Sequence, residues 1–161
     1  MSLRFERDYP YPREAVWRAI TDRRALEQRW LEADFAPAIG RAFTLRDLPR
    51  GPWKGAVRGA VLEAEPPARL RYSWAIEGLG APTFVTWQLY ERGEGTRVVL
   101  AHVGFRGLRG QLGAALHSLA WRRYLRRALP EAADLFARRG PDAAFATPPR
   151  HVRVRGLLRA I

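Results

Sequence analysis

The sequence predicts an α+β domain: a strongly curved antiparallel sheet wrapped around a long C-terminal helix, with two short helices after the first strand and an apolar cavity enclosed between sheet and helix. Three observations carry this. From Phe43 to His102 apolar residues recur at every second position, in short runs separated by Gly- and Pro-containing turns, the pattern of half-buried strands in a meander. From about Gly110 the spacing changes to the helical period, with apolar residues on one face. Large aromatic residues then fall on the inward positions of both the strands and the helix.

The elements follow in order. Leu3 and Phe5 alternate with Arg4, Glu6 and Asp8, as in a strand with one wet face. Tyr9-Pro10-Tyr11-Pro12 ends it, and Pro12 suits the first position of a helix, where its missing N–H is not needed. Val16, Trp17 and Ile20 form the apolar stripe of that helix, and Trp17 reads as core packing. Thr21-Asp22 caps a second helix over Arg23 to Trp30. Phe43 and Leu45 mark a strand after Gly40, and a turn occupies Pro49 to Gly55. Val57, Gly59 and Val61 share one face of the next strand, which Pro66-Pro67 stops. Glu63 has the parity of Val61 and reads as an exposed strand-end carboxylate. Leu70, Tyr72 and Trp74 alternate with Arg69, Arg71 and Ser73. After a loop from Gly78 to Pro82 come Val85, Trp87 and Leu89, then the Gly93-Glu94-Gly95 turn and a strand bearing Val98, Leu100 and His102.

In the long helix Trp121, Leu125, Ala128, Leu129, Ala132 and Phe136 share one face, with Arg122, Arg123, Arg126 and Arg127 opposite. Pro130 lacks the N–H of a helical hydrogen bond and predicts a kink or restart. Leu112, Leu116 and Leu119 project on the arginine side. Either that stretch is not continuous with the helix or something covers it, and the tail is the expected cover. Gly107, Gly110 and Gly113 suggest a hinge or cavity gate. The domain is bounded at 1–139, and 140–161 is an arginine-rich tail.

Composition narrows the class. With 47% hydrophobic residues over 161, one domain with a substantial core is expected. The absence of cysteine excludes disulfides, thiolate metal sites and a thiol nucleophile. His102, His117 and His151 lack metal-ligand spacing, so neither metal nor cofactor is expected. No apolar signal core opens the chain and no run approaches the roughly 18 apolar residues of a membrane span, so a cytoplasmic protein without membrane insertion is expected. Lys54 is the only lysine and Asn is absent; the scarcity of thermolabile residues fits a heat-adapted source.

The net charge of +12 is unevenly placed: residues 106–161 hold 12 arginines against Glu131, Asp134 and Asp142. Such a field attracts polyanions in general. Specific nucleic-acid recognition needs base-reading or base-stacking side chains, which the basic helix face lacks, so no specific nucleic-acid partner is expected.

The segments "YPREAVWRAITDRRALEQRW", "IGRAF", "GAVLEAEPPARLRYSW" and "TFVTWQLYERGEGTRVVLAHVGF" together resemble the family of activators of the ninety-kilodalton heat-shock protein (Hsp90) ATPase and their single-domain bacterial homologues. The similarity runs from about residue 3 to residue 136. It implies the helix-grip fold of the START/SRPBCC superfamily, whose members include carriers, cyclases and chaperone partners. The arginine-rich tail exceeds the usual end of such a domain.

Strand parity and helix face place Tyr72, Trp74, Trp87, Leu89, Leu100, His102, Trp121 and Leu125 around the expected cavity. The leading expectation is binding of a hydrophobic or amphipathic small molecule there, oriented by His102 and Tyr72. Two others stay open. One is a cyclase/aromatase-type enzyme with His102 and Tyr72 as its acid/base pair, although no catalytic residue is assigned. The other is a protein-interaction module of the chaperone-cofactor kind, with a homodimer through the C-terminal helix or tail as a further option.

Overall fold

Alternation with one wet face forces each strand to keep its apolar side on a common core, and the structure, a computed structural model describing residues 1–77 and 80–145, arranges seven strands in this way. The order along the chain is β1 (Ser2–Tyr9), α1 (Arg13–Thr21), α2 (Arg23–Leu26), β2 (Glu32–Asp34), β3 (Ala42–Arg46), β4 (Ala56–Glu65), β5 (Arg69–Ile76), β6 (Thr83–Arg92), β7 (Gly95–Val103), α3 (Gly107–Arg123), a π-helical turn (Tyr124–Ala128) and α4 (Leu129–Ala143). The sheet order is β1-β7-β6-β5-β4-β3-β2, and every neighbouring pair is antiparallel. β1 and β2 thus occupy opposite edges, and α1 and α2 carry the chain from one to the other. The predicted α+β class, with a long C-terminal helix against an antiparallel sheet, is what the chain adopts.

Local differences from the sequence reading have identifiable causes. Pro12 is the cap of α1 rather than its first residue: its ψ of 150° is extended, and its carbonyl accepts the N–H of Ala15 and Val16. Asp22 caps α2 as expected, accepting the Arg24 backbone N–H at 2.9 Å, but α2 ends at Leu26 rather than reaching Trp30. Beyond it the Leu31 N–H already bonds the Arg46 carbonyl and draws the chain into β2. β2 was not predicted, because Glu-Ala-Asp has poor strand propensity; tertiary pairing of Ala33 with Leu45 overrides that. A bulge in β4 between Val61 and Glu63 reverses the parity there. Glu63 consequently pairs with Arg69 and Arg71 on the outer face. Gly59 has no permissible substitute, since a Cβ would collide with the Ser73 carbonyl and the Phe43 ring.

The three glycines expected to form a hinge all lie within α3, which is continuous past Leu112, Leu116 and Leu119. Gly110 is favoured by close packing: a Cβ there would stand 3.0 Å from the Phe105 backbone. At the other end of α4, Gly140 turns the chain with φ 74°, Ala144 is buried and the Phe145 ring meets Phe136 edge-on at 5.2 Å. The tail from residue 146, expected to cover those leucines, lies outside the described residues, as do Gly78 and Leu79 of the predicted loop.

Pro130 produces the predicted irregularity by a specific route. The Leu129 N–H bonds the Tyr124 carbonyl, one residue further back than in an α-helix. The next donor in that wider register would be residue 130, and proline has none, so the Leu125 carbonyl loses its helical partner. The Tyr9 hydroxyl, arriving from the end of β1, donates to that carbonyl at 2.6 Å in a buried site. One hydrogen bond therefore joins the first strand to the break in the last helix.

Replacing Tyr9 by Phe should lower stability by about 1–3 kcal/mol, the cost of a buried acceptor left bare. In a Pro130→Ala background the new N–H can reach the same carbonyl, so the cost of Tyr9→Phe should largely vanish. A double-mutant cycle by urea unfolding checks this; equal costs in both backgrounds would refute the pairing.

Candidate functional site

The concave face of the sheet and the inner side of α3 leave a cavity of about 330 Å³. Its floor is buried: Leu45, Val57, Tyr72 and Trp87 come from β3, β4, β5 and β6. Its rim is partly exposed and includes Trp30, Trp53 and Ile76, while Gly113, Leu116, His117 and Ala120 of α3 roof it. The aromatic rings form a connected wall. Trp74 stands 6.2 Å from Trp30 and 5.9 Å from Trp121, and Trp121 lies 5.6 Å from Trp87 and 6.0 Å from Tyr124.

The three innermost indole N–H groups of this wall each have a partner inside the protein. Trp74 donates to Nε2 of His117 at 3.0 Å, Trp87 to the Tyr72 hydroxyl at 3.0 Å, and Trp121 to Nδ1 of His102 at 3.0 Å. The two histidine tautomers follow, because an indole N–H can only donate. His117 must carry its proton on Nδ1, which donates to the Gly113 carbonyl at 2.7 Å. His102 must carry its proton on Nε2, which donates to the Thr83 hydroxyl at 2.7 Å; that hydroxyl donates onward to the Trp74 carbonyl at 3.1 Å. Both imidazoles are neutral. Burial, reinforced by the neighbouring His117, pushes the His102 pKa down to about 3, and burial also lowers that of His117.

Of the residues expected around the cavity, Tyr72, Trp74, Trp87 and Trp121 line it. Leu89, Leu100, His102 and Leu125 are fully or almost fully buried but belong to the core behind that wall. The His102–Tyr72 acid/base pair is not assembled. Both nitrogens of His102 are engaged by Thr83 and Trp121, and Tyr72 bonds Trp87 instead. Strand parity placed His102 on the correct face, but the larger rings of Trp74 and Trp121 stand against its imidazole, 6.2 and 6.1 Å away between centroids.

The sequence reading missed Arg29, Trp53, His117 and Tyr124 as cavity residues. Tyr124 sits among the arginines of the helix, but it lies three residues after Trp121 and seven after His117, so the α-helical spacing of α3 itself turns it inward. The Arg29 guanidinium lies over the Trp30 ring at 5.8 Å and over the Tyr124 ring at 5.7 Å. It is the one formal charge among the described lining residues. Burial raises the Tyr124 hydroxyl to about 12 despite Arg29, and burial raises that of Tyr72 as well, so both remain protonated donors at neutral pH.

The family description "Activator of Hsp90 ATPase homolog 1-like protein" matches residues 10–134, most of the chain. The chain belongs to this family. Among solved structures, protein MLL2253 from Mesorhizobium loti superposes with a TM-score of 0.72 at 25% identity, covering 83% of this chain and 97% of that one. CalU16 from Micromonospora echinospora gives a TM-score of 0.64 at 25% identity, covering 97% of this chain and 82% of the other. PFC0360w, an Hsp90 activator from Plasmodium falciparum, gives 0.55 at 21% identity, covering 66% of this chain and 76% of its own, which is a likeness of fold. No curated protein compared with the chain matches it. Membership agrees with the resemblance carried by the four sequence segments. No helix among the described residues is long and apolar enough to cross a membrane.

Stability should depend on pH through His102. In the unfolded chain its imidazole takes a proton near pH 6.5, whereas in the folded protein it does so only near pH 3. This contribution is complete above the unfolded value and is lost as pH falls towards the folded one, at about 1.4 kcal/mol per pH unit. Urea unfolding at about pH 7 and pH 5 should show a drop that shrinks by about 2 kcal/mol in His102→Gln. An unchanged slope in that variant would show that His102 is not held neutral.

Proposed function

We propose that the protein binds a small molecule with a flat apolar body and one acidic or polar end in the cavity between sheet and α3. The observation that carries this is the polarity of the lining. Since the indole donors of Trp74, Trp87 and Trp121 are engaged, the inner part of the wall offers ring faces and aliphatic groups to a ligand. Burial of apolar surface supplies affinity, and a small number of polar groups sets orientation. Those groups are the Tyr72 hydroxyl, which accepts from Trp87 and keeps its own proton to donate, the Tyr124 hydroxyl, and the Arg29 guanidinium. Family membership supports a binding module of the helix-grip kind or a chaperone-activator-like module. The cavity favours the first.

The test is titration of the full chain with a neutral and an anionic apolar fluorophore, read by dye emission and tryptophan quenching. Saturable binding near one per chain is expected for both. Ala120→Trp, which places an indole in the roof of the cavity, should abolish both. Arg29→Gln should weaken the anionic dye about tenfold while leaving the neutral one nearly unchanged. Absence of saturable binding to the wild type, or binding that persists in a folded Ala120→Trp variant, would overturn the proposal.

A further inference from the structure

The outer face of α3 carries a feature that cavity binding does not use. Of its seventeen residues only Ala114 and Trp121 are buried. The opposite side is a ridge of Leu108, Leu112 and Leu119, which are 85%, 66% and 70% exposed, with Leu116 between this ridge and the cavity roof. At 100° per residue Leu108, Leu112 and Leu119 fall within a 40° arc, and the ridge is about 16 Å long. Arginines flank it at both ends: Arg106 and Arg109 around its first leucine, and Arg122, Arg123, Arg126 and Arg127 after its last, all exposed. No carboxylate occurs in the sequence between Glu94 and Glu131, and among the described residues none of these six arginines takes part in an ion pair.

We propose that this face is a docking surface for an anionic lipid bilayer, with the leucines entering the apolar boundary and the arginines meeting the headgroups. An exposed apolar stripe bracketed by arginines whose aliphatic stems can reach outward is the arrangement of a helix lying in the plane of a membrane interface. Charge argues against the other occupants. A second copy packed antiparallel on this helix would set Arg122 and Arg123 against the partner copy's N-terminal arginines, and a parallel copy would set like against like. The chain's own tail brings four arginines and no acidic residue after Asp142, so it adds to the positive field. A single protruding helix is convex and provides no groove of the kind that receives a peptide helix. An anionic bilayer needs no groove, and it matches both the apolar crest and the charge.

The surface is separable from the cavity because Leu112 and Leu119 do not line it. The full chain should therefore be floated with vesicles of phosphatidylcholine alone and with about 30 mol% phosphatidylglycerol added. Binding is expected only to the anionic vesicles and should fall as salt is raised. Leu112→Gln/Leu119→Gln should reduce the partition coefficient about tenfold or more while leaving thermal melting and cavity dye binding unchanged. The chain has no cysteine, so Leu119→Cys and Glu94→Cys can each carry an environment-sensitive dye, independently of that variant. Anionic vesicles should blue-shift the label at 119 and not the label at 94, on the β6–β7 turn outside the leucine ridge. The proposal fails if no flotation occurs at low salt, or if the double variant floats as well as wild type. It fails equally if both labels respond alike, or if the leucine substitutions dissociate a dimer in the absence of lipid.

Discussion

Two indole-to-imidazole hydrogen bonds run in opposite directions between α3 and the sheet, and the geometry of the cavity depends on them. Trp121 of α3 donates down to His102 of β7, and Trp74 of β5 donates up to His117 of α3. His117 and Trp121 are one turn apart on the helix, so the two bonds act along a single stripe. Each needs an unprotonated acceptor, and burial keeps it so, on His117 against the opposing pull of the Gly113 carbonyl. A helix held only by aliphatic contacts would settle towards the sheet and fill the space with side chains. Here large rings joined edge to ring hold the roof away from Val57 and Trp87, and the space between remains open.

The same economy of polar groups governs the far end of the helix. A proline inside a long helix leaves an acceptor without its donor, and a buried orphan carbonyl is costly. The Tyr9 hydroxyl removes that cost and converts the defect into a tie between β1 and the helix. A wider π-helical register accompanies it, and α4 resumes beyond it with Leu129 buried. The sequence therefore pairs a defect at Pro130 with its remedy at Tyr9, residues more than a hundred positions apart.

Much of this was legible in the sequence, and the reason is periodicity. Leu70, Tyr72 and Trp74, and likewise Val85, Trp87 and Leu89, declare their inward face by strict alternation, and the structure places all six in the core. What periodicity cannot register is anything that breaks parity or depends on partners. The bulge after Val61 reversed Glu63, and β2 exists because β3 supplies its hydrogen bonds. His102 was correctly placed inward, but depth behind two indoles is a matter of side-chain size in three dimensions. His117 looked like one more helical residue. The signal that could have found it was the number of buried indoles: several tryptophans facing one space need acceptors, and neutral histidines are among the few side chains that provide them inside an apolar core.

α3 then appears as a helix with two incompatible demands on its sequence. Its inner side must supply a tryptophan, a histidine and glycines small enough to approach Phe105 and the cavity, which leaves few positions for ordinary core leucines. If the outer side served only solvation, polar residues would be sufficient there, as on α4, where Glu131, Asp134 and Arg138 face outward. Instead the leucines lie on the outside and the small residues on the inside, an inversion of the usual amphipathic order. Inner-face packing accounts for the glycines. It does not account for the leucines or for the absence of any carboxylate among the surrounding arginines. The proposed docking face accounts for those two features together, since it meets something both apolar and negatively charged.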